Sequence, residues 1–226
     1  MSETELRRVV ADVCRRIYEK GFVAANDGNV SARLGGGRFL MTPSGVSKGD
    51  VTPGSLLVCD MNGKKLRGKG KLTTETLMHL TVYRERADVG AAIHSHAPYA
   101  TALTLAGVAL DAPVFPEVLV HLGRIPTAAY ATPASAEGAR AVVKLIRRHD
   151  AMLLEGNGTL TAGRDPWDAY YKLERVEHSA MVVFLARLLG RVRRLTKPEI
   201  GRLVAALALH GVTARIAKLR DAGGEE

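Results

Sequence analysis

Two histidines, His94 and His96, are separated by one residue and directly follow the short apolar run from Val89 to Ile93. A compact, bounded run of this kind is typical of a buried strand. Because side chains two apart on a strand point to the same face, the imidazoles should stand side by side at its carboxyl end. Neutral imidazole is a favoured ligand of zinc and related ions, so the pair indicates a divalent metal site. The alternative is two histidines satisfied by local hydrogen bonds.

Three small loops have a composition suited to holding an anion. Each combines a small residue or glycine with a hydroxyl or an amide, and the residues are Gly28, Asn29, Ser44, Gly45, Thr73 and Thr74. The two threonines stand at a predicted helix start, where unpaired N–H groups and the helix dipole favour negative charge. Together the loops could hold a phosphate without lysine or arginine. Taken singly, each is ordinary turn and cap chemistry.

Glu75 follows the threonines in the first turn of a helix predicted over residues 75–86, with Thr73 and Thr74 as its N-caps. A carboxylate there can simply complement the helix dipole. The functional interpretation is a general base that removes a proton next to a carbonyl, while a metal stabilises the resulting enediolate. His79, one turn further on, is interpreted as a packing or orienting residue.

The composition predicts one substantial domain in the cytoplasm. The chain has 226 residues, of which 46% are hydrophobic, and its polar amino terminus lacks a signal peptide's apolar core. No apolar stretch is long enough to span a membrane. Cys14 and Cys59 form neither a disulfide framework nor a metal knuckle. The net charge of +9 falls largely on predicted helix faces without aromatic interleaving, so no nucleic-acid partner is expected.

The elements that must position these residues are irregularly interleaved strands and helices. Glycines 35–37 and the Asn62-Gly63 pair predict hairpins early in the chain. Helices are predicted over residues 3–20, 75–86, 100–106, 135–149 and 166–189, with a last one from the Thr196–Glu199 capping box to Gly211. Early hairpins and later crossovers predict an α/β fold, one mixed central sheet with helices on both faces. Residues 1–212 form the predicted domain, and 213–226 a frayed tail.

In this order, the motifs resemble those of the metal-dependent class II sugar-phosphate aldolases of the L-fuculose-1-phosphate aldolase type, a family that includes ribulose-phosphate 4-epimerase and the adducin head. The matching stretches are Gly28-Asn29-Val30-Ser31-x-Arg33, Thr42-Pro43-Ser44-Gly45, Thr73-Thr74-Glu75 with His79, His94-x-His96-Ala97, Gly123-x-x-Pro126 with Tyr130-Ala131-Thr132, and Leu153-Leu154-x-Gly156-x-Gly158. Six weak motifs in the right order and at the right intervals form a specific signal. The resemblance implies a three-layer α/β/α domain.

The resemblance also implies roles for individual positions. His94 and His96 would bind one divalent metal per subunit, with Zn expected first and Mn or Co as alternatives. Glu75 would be the catalytic acid and base, and the loop residues from Gly28 to Thr74 named above would surround the substrate phosphate. The family is usually a homotetramer with active sites between subunits, and this chain would share that assembly.

Asn157 stands where the family has its third histidine ligand. An amide oxygen is neutral and matches zinc less well than imidazole does. Metal affinity should therefore fall, or a harder ion should be preferred, or the site is incomplete. His121, His149 and His178 are poor substitutes, and His178 is predicted to lie within the long helix.

The proton donor for the leaving group is a second departure from the family. The position of the family's tyrosine falls on Phe115, which has no hydroxyl, so Glu117 and Tyr130 remain as alternatives. The first hypothesis is a lyase that cleaves a small phosphorylated ketose to dihydroxyacetone phosphate and an aldehyde. The second is an epimerase, dehydratase or decarboxylase on the same fold. The third is a non-catalytic, adducin-head-like binding module, which would have no need to keep Glu75 with the histidines.

Overall fold

A computed structural model describes residues 1–209, and within them eight strands form a single sheet. The strands are β1 Asn29–Gly35, β2 Arg38–Met41, β3 Leu57–Asp60, β4 Lys65–Arg67, β5 Ala91–Ser95, β6 Thr127–Ala128, β7 Ala151–Leu154 and β8 Gly158–Gly163. Their order across the sheet is β4-β3-β2-β1-β5-β8-β7-β6. The β6–β7 pair is parallel and the other neighbouring pairs are antiparallel, so the predicted mixed sheet is confirmed.

Helices cover both faces of this sheet. They are α1 Glu3–Glu19, α2 Thr76–Glu85, α3 Pro98–Leu105, α4 Pro116–His121, α5 Ala136–Ala141, α6 Val143–Ile146, α7 Pro166–Leu189 and α8 Lys197–Leu209, with a 3₁₀ turn at Lys48–Asp50. Ile17, Leu103 and Leu173 bring α1, α3 and α7 into the core on one face. Leu80 and Ile146 bring α2 and α6 into the core on the other. The α/β/α layering is therefore the predicted one.

Two predicted segments differ in detail from the structure. The helix expected over residues 135–149 is divided into α5 and α6 at Val142. Two consecutive β-branched residues at this point, Val142 and Val143, have lower helix propensity, consistent with the break. The capping box of α8 is present, since the N–H of Thr196 donates to Glu199 and the N–H of Glu199 to the Thr196 hydroxyl. The predicted helix end at Gly211 and the tail 213–226 lie outside the described residues.

The central strand β5 positions the histidines. It lies between β1 and β8, and Asn29 pairs with His94 on one side while Thr159 pairs with Ser95 on the other. His94 is therefore a strand residue, and His96 lies just beyond the strand's end. The first residues of β1 and β8 consequently flank the histidine pair.

The longest helix, α7, packs along the sheet from the turn after β8. Its buried side chains include Ala169, Leu173 and Val176, together with the polar Lys172 and Glu177. In the part of the chain that the structure describes, no helix combines the length and the apolar character needed to cross a membrane.

Candidate active site

The two imidazoles meet edge-on at the carboxyl end of β5. Their Nε2 atoms are 3.2 Å apart, and the ring planes make an angle of 74°. The Nδ1–H of His94 donates to the carbonyl oxygen of Thr159, at 3.0 Å. A proton on Nδ1 leaves the Nε2 lone pair available, and that nitrogen faces the other ring.

The geometry of the pair fits a tetrahedral cation. At zinc–nitrogen distances of about 2.0–2.1 Å, two ligand nitrogens of a tetrahedral ion lie about 3.3 Å apart. The observed separation of 3.2 Å is close to that value. Burial, together with the charge of His96, lowers the pKa of His94 to about 3. His94 is therefore neutral at pH 7, as a metal ligand must be.

Asp27 borders the other side of the pair. Its Oδ2 lies 3.5 Å from the Nδ1 of His96. A carboxylate beside Nδ1 favours the proton on that nitrogen and leaves Nε2 for a metal. No sequence pattern indicates Asp27, because it meets His96 only through the pairing of β1 with β5: with Asn29 opposite His94, residue 27 comes opposite residue 96.

Glu75 is the N-cap residue of α2, because the helix begins at Thr76, one residue later than predicted. Its side chain makes no capping bond, and Oε1 instead accepts the backbone N–H of Ala134 at 3.0 Å. The carboxylate is therefore held against the loop before α5. Burial raises its pKa, while the bond from Ala134 and the charge of His96 act in the opposite direction.

Thr73 and Thr74 are not the N-caps of α2, because the helix begins one residue later than that prediction requires. The N–H of Glu75 donates to the Thr73 hydroxyl at 3.4 Å. The hydroxyl of Thr76 donates to the Thr73 carbonyl oxygen at 2.6 Å. These bonds hold the turn that presents Glu75. Thr73 is buried and Thr74 is exposed.

The loop before β1 lies against the histidine strand. Gly28 has a φ of +69°, and a Cβ there would stand 3.0 Å from the carbonyl oxygen of His94. Glycine therefore allows this close approach and the left-handed backbone. Asn29 follows as the first residue of β1 and the partner of His94. The structure thus brings both predicted phosphate ligands next to the predicted metal ligands.

The Ser44-Gly45 loop lies beside the segment that leads to Thr73. The N–H of Ser44 donates to the carbonyl oxygen of Lys71 at 2.9 Å. Buried Lys48 then ties this loop to the one before Gly28, since its Nζ donates to the carbonyl oxygens of Val46 and Asn26, at 2.5 and 3.1 Å. These hydrogen bonds connect the Ser44-Gly45 loop both to the segment before Thr73 and to the loop before Gly28.

Asn157 lies in the turn between β7 and β8, where its N–H donates to the carbonyl oxygen of Leu154 at 2.9 Å. It borders a small cavity that Glu75 also lines. The next residue, Gly158, packs on the segment that carries His96. Position 157 therefore lies between the catalytic candidate and the end of the histidine strand.

Gly158→Ala should destabilise the protein far more than Gly156→Ala. Both glycines have a positive φ, which costs alanine about 1–2 kcal/mol. A Cβ at Gly158 would lie only 2.2 Å from the Ser95 carbonyl oxygen, whereas at Gly156 the nearest atom is 3.8 Å away. We expect Gly158→Ala to lower the free energy of unfolding by more than about 3 kcal/mol, measured by urea denaturation. Equal losses in the two variants would contradict this packing.

The possible substitute ligands, His121, His149 and His178, do not complete a metal site with His94 and His96 in the described residues. Within residues 1–209, no three histidine, cysteine, aspartate or glutamate side chains form a metal-binding group. The His178 ring lies 6.4 Å from that of Phe115, and both line a groove of about 670 Å³ that also contains Glu117. This groove includes neither His94 nor His96 among its lining residues.

Tyr130, the other proposed proton donor, lies near the turn that carries Asn157. Its Cδ2 would be 3.8 Å from a Cβ placed on Gly156, the neighbour of Asn157. Its N–H donates to Glu155 at 2.9 Å, and its side chain is largely exposed. Tyr130 is therefore better placed than Glu117 to reach the region of Asn157.

Comparison with known families gives one match that covers most of the chain. Residues 8–184 match the family described as class II aldolase and adducin N-terminal domain. The chain belongs to this class II aldolase family. The predicted family and the predicted fold are both confirmed.

Relatives within the class II aldolase family act in more than one way. The L-fuculose phosphate aldolase of Methanococcus maripaludis is 33% identical over 173 residues, covering 76% of this chain and 93% of that protein. The 3-oxo-tetronate 4-phosphate decarboxylase of Pectobacterium atrosepticum is 30% identical over 208 residues, covering 89% and 94%. The solved structure of an L-fuculose 1-phosphate aldolase superposes with a TM-score of 0.81 at 26% identity, covering 90% of this chain and 96% of that chain. Membership therefore leaves the particular reaction open.

Asn157→His should raise the affinity for zinc by about tenfold or more, equivalent to about 1.4 kcal/mol. The reason is that imidazole is a better zinc ligand than an amide oxygen. Competition with a chromogenic chelator measures this affinity. The matched control is Asn62→His, which places a histidine in the exposed β3–β4 turn far along the sheet. If the two variants bind zinc equally, position 157 does not face the histidine pair.

Proposed function

We propose that this chain is a metal-dependent lyase that cleaves a phosphorylated ketose, of the fuculose 1-phosphate type, to dihydroxyacetone phosphate and an aldehyde. The observation that supports the proposal is a pair of imidazoles whose Nε2 atoms lie 3.2 Å apart. The buried carboxylate of Glu75, whose pKa is raised by burial, lines a cavity with Asn157 near the end of the histidine strand. The Gly28-Asn29 and Thr73-Thr74 loops, with their hydroxyl and amide groups, lead directly to these residues. A site of this composition suits proton transfer next to a carbonyl of an anionic substrate.

His94 and His96 would hold one divalent ion, with Asn157 as a weaker third ligand. Zinc is the first expectation, and manganese or cobalt would suit the amide oxygen better. When bound, the ion would supply a Lewis acid that withdraws electron density from the substrate's carbonyl and hydroxyl oxygens. The Thr159 carbonyl and Asp27 orient the two imidazoles for this task.

Glu75 would move the proton at the carbon next to the carbonyl. Cleavage breaks the carbon–carbon bond to the aldehyde half, whose hydroxyl proton would pass to Tyr130, to Glu117 or to a residue of a neighbouring subunit. The electron pair stays on that carbon of the three-carbon fragment, and protonated Glu75 would give its proton to it. A raised pKa brings the carboxyl group nearer to neutral pH, where a single group can both donate and accept a proton. The hydrogen bond from Ala134 fixes Oε1 during this exchange.

The substrate phosphate would lie among the loops of Gly28, Asn29, Ser44, Gly45, Thr73 and Thr74. Their hydroxyl, amide and backbone N–H groups can donate to phosphate oxygens. The bonds of Lys48 and of the Ser44 N–H support this grouping, because they hold the loops together without occupying those side chains. Binding would thus be decided by hydrogen-bond donors more than by cationic side chains.

Decarboxylation of a phosphorylated 3-oxo sugar acid is the second candidate. It is favoured by the Pectobacterium decarboxylase, which matches 89% of this chain against 76% for the Methanococcus aldolase. It is also favoured by Phe115, which offers no hydroxyl for a leaving aldehyde. Loss of carbon dioxide leaves an electron pair beside the carbonyl, as aldehyde loss does, but requires no proton exchange at a departing oxygen. Glu75 alone would then suffice.

The proposed assembly is a homotetramer with active sites between subunits. It is supported by the end of α7, where Leu188 and Leu189 are 70% and 91% exposed in the isolated chain. Apolar side chains left uncovered in this way are typical of interaction surfaces. Light scattering of the purified protein would measure the mass of the assembly directly.

A product assay on the metal-loaded protein tests the proposal. A panel of ketose 1-phosphates is incubated with the protein, and triose phosphate is measured by a coupled dehydrogenase. A parallel panel of phosphorylated 3-oxo sugar acids is followed by carbon dioxide release. Triose phosphate supports the aldolase, and carbon dioxide supports the second candidate. The absence of both products, from protein shown to contain metal, would favour a binding module and overturn the proposal.

A further inference from the structure

A continuous series of buried hydrogen bonds leads from α2 to the predicted anion site. The Tyr83 hydroxyl lies 2.7 Å from the Ser31 hydroxyl, which lies 2.6 Å from the Nδ1 of His79. The Nε2 of His79 lies 2.5 Å from the Oδ1 of Asn29. All four side chains are buried, with at most 6% of their surface exposed. We call these four residues the Tyr83–Asn29 relay.

The relay is built on the helix that carries the catalytic candidate. Glu75, His79 and Tyr83 are spaced four residues apart, so they share one face of α2. Ser31 and Asn29 are two residues apart on β1 and share one face of that strand. The relay therefore connects the helix of Glu75 to the strand that pairs with His94.

The chemistry of the groups fixes the direction of these bonds. The Oδ1 of Asn29 can only accept, so His79 carries its proton on Nε2 and accepts at Nδ1. Ser31 then donates its single hydrogen to His79, and Tyr83 donates to Ser31. The Tyr83 oxygen also accepts the N–H of Ala92. If the bonds ran the other way, Ser31 would donate to Tyr83, and the Tyr83 hydroxyl hydrogen would need a different acceptor. The contacts of this hydroxyl within residues 1–209 include no such acceptor.

His79 remains neutral over the working range, which preserves this pattern. Burial, with the neighbouring His94 imidazole acting in the same direction, lowers its pKa to about 3. A neutral imidazole has one donor and one acceptor nitrogen, and the relay uses both. The side chain of Asn29 is consequently presented with a fixed amide oxygen.

We propose that His79, Ser31 and Tyr83 are positioning residues that hold the Asn29 amide oxygen inward, so that its NH₂ group faces the anion site and donates to the substrate phosphate. With the amide reversed, an oxygen would face the phosphate and repel it. Because Asn29 lies opposite His94, this donor is fixed relative to the metal ligands as well. The inference rests on the proposed function, which supplies the phosphate.

The test compares His79→Leu with His79→Gln in the 226-residue chain, with inorganic phosphate as the probe. Leucine removes both polar atoms, whereas a glutamine amide can donate to Asn29 and accept from Ser31. Losing one oriented bond to an anion should weaken phosphate binding, measured by calorimetry, about tenfold or more in His79→Leu. His79→Gln should recover most of that affinity. In the wild type, ¹⁵N NMR should show His79 protonated on Nε2.

Thr161→Val is the matched control, because it also removes one buried hydroxyl bond. The Thr161 hydroxyl donates to the carbonyl oxygen of Ala169 on the opposite face of the sheet, so phosphate affinity should not change. If Asn29→Leu weakens phosphate binding and His79→Leu does not, this inference is overturned while the proposed function stands. A proton found on the Nδ1 of His79 would also overturn it. If the wild type binds no phosphate, both proposals are overturned.

Discussion

Glu75→Gln should reduce the turnover number between about 10²- and 10⁴-fold, the range expected for loss of a general acid and base. Glutamine has nearly the same shape and can still accept the N–H of Ala134, so the fold and substrate affinity should be retained. KM should therefore change little. Steady-state kinetics on whichever substrate proves active would separate the two constants.

The control for this variant is Glu85→Gln at the other end of the same helix. Glu85 pairs with Arg147 at the protein surface, and such pairs contribute little to stability. Turnover should remain at the wild-type level. If Glu75→Gln is as active as Glu85→Gln, proton transfer belongs to another residue, and Tyr130 becomes the first alternative.

The pH dependence of the wild type should reveal the same carboxyl group. Burial raises its pKa in the folded protein, and the base acts only when ionised. In the reverse, condensing direction Glu75 must first remove a proton from the three-carbon fragment, so kcat/KM measured in that direction should fall as the pH drops through the raised pKa and reach a plateau above it. Glu75→Gln should lose this acidic limb, because glutamine does not titrate.

His94→Gln should weaken metal binding at least about 100-fold, since changes in groups that only orient a ligand already cost 10–100-fold. His94 is buried and its Nδ1 is engaged by the Thr159 carbonyl, so its Nε2 is held in one position. A glutamine amide fills much of the same space but is a poorer ligand. Zinc affinity is measured by chelator competition, and activity should fall in parallel.

His178→Gln is the matched control for His94→Gln, because it changes a histidine of α7 that lines the separate groove with Phe115. Metal content and affinity should match those of the wild type. Retention of one metal ion per chain by His94→Gln, at unchanged affinity, would show that the ion is held by other residues. The enzymatic proposal would then lose its basis.

Local signals predicted the framework of the site well. The alternation around β1, the glycine turns and the apolar run before His94 each act over a few residues, and each gave the correct element. Glu75 and the histidine pair could be singled out because their residue types and spacing carry chemistry by themselves. The family resemblance placed Asn157 at the site, and the packing of Gly158 on the His96 segment supports that placement.

What escaped prediction depends on contacts between distant segments. Asp27 meets His96 only because β1 pairs with β5 in one register. Ala134 supplies the N–H for Glu75 from 59 positions along the chain. Such partners have no local signature, since they arise when the sheet and the α2 face come together.

The orientation of His94 rests on a main-chain carbonyl, that of Thr159, whereas His96 relies on the side chain of Asp27. Amino-acid replacement removes side chains but leaves the peptide group in place. One half of the proposed metal site is therefore protected from mutation as long as the β5–β8 ladder persists. The other half, with position 157, is open to change, and engineering of metal preference in this scaffold should begin there.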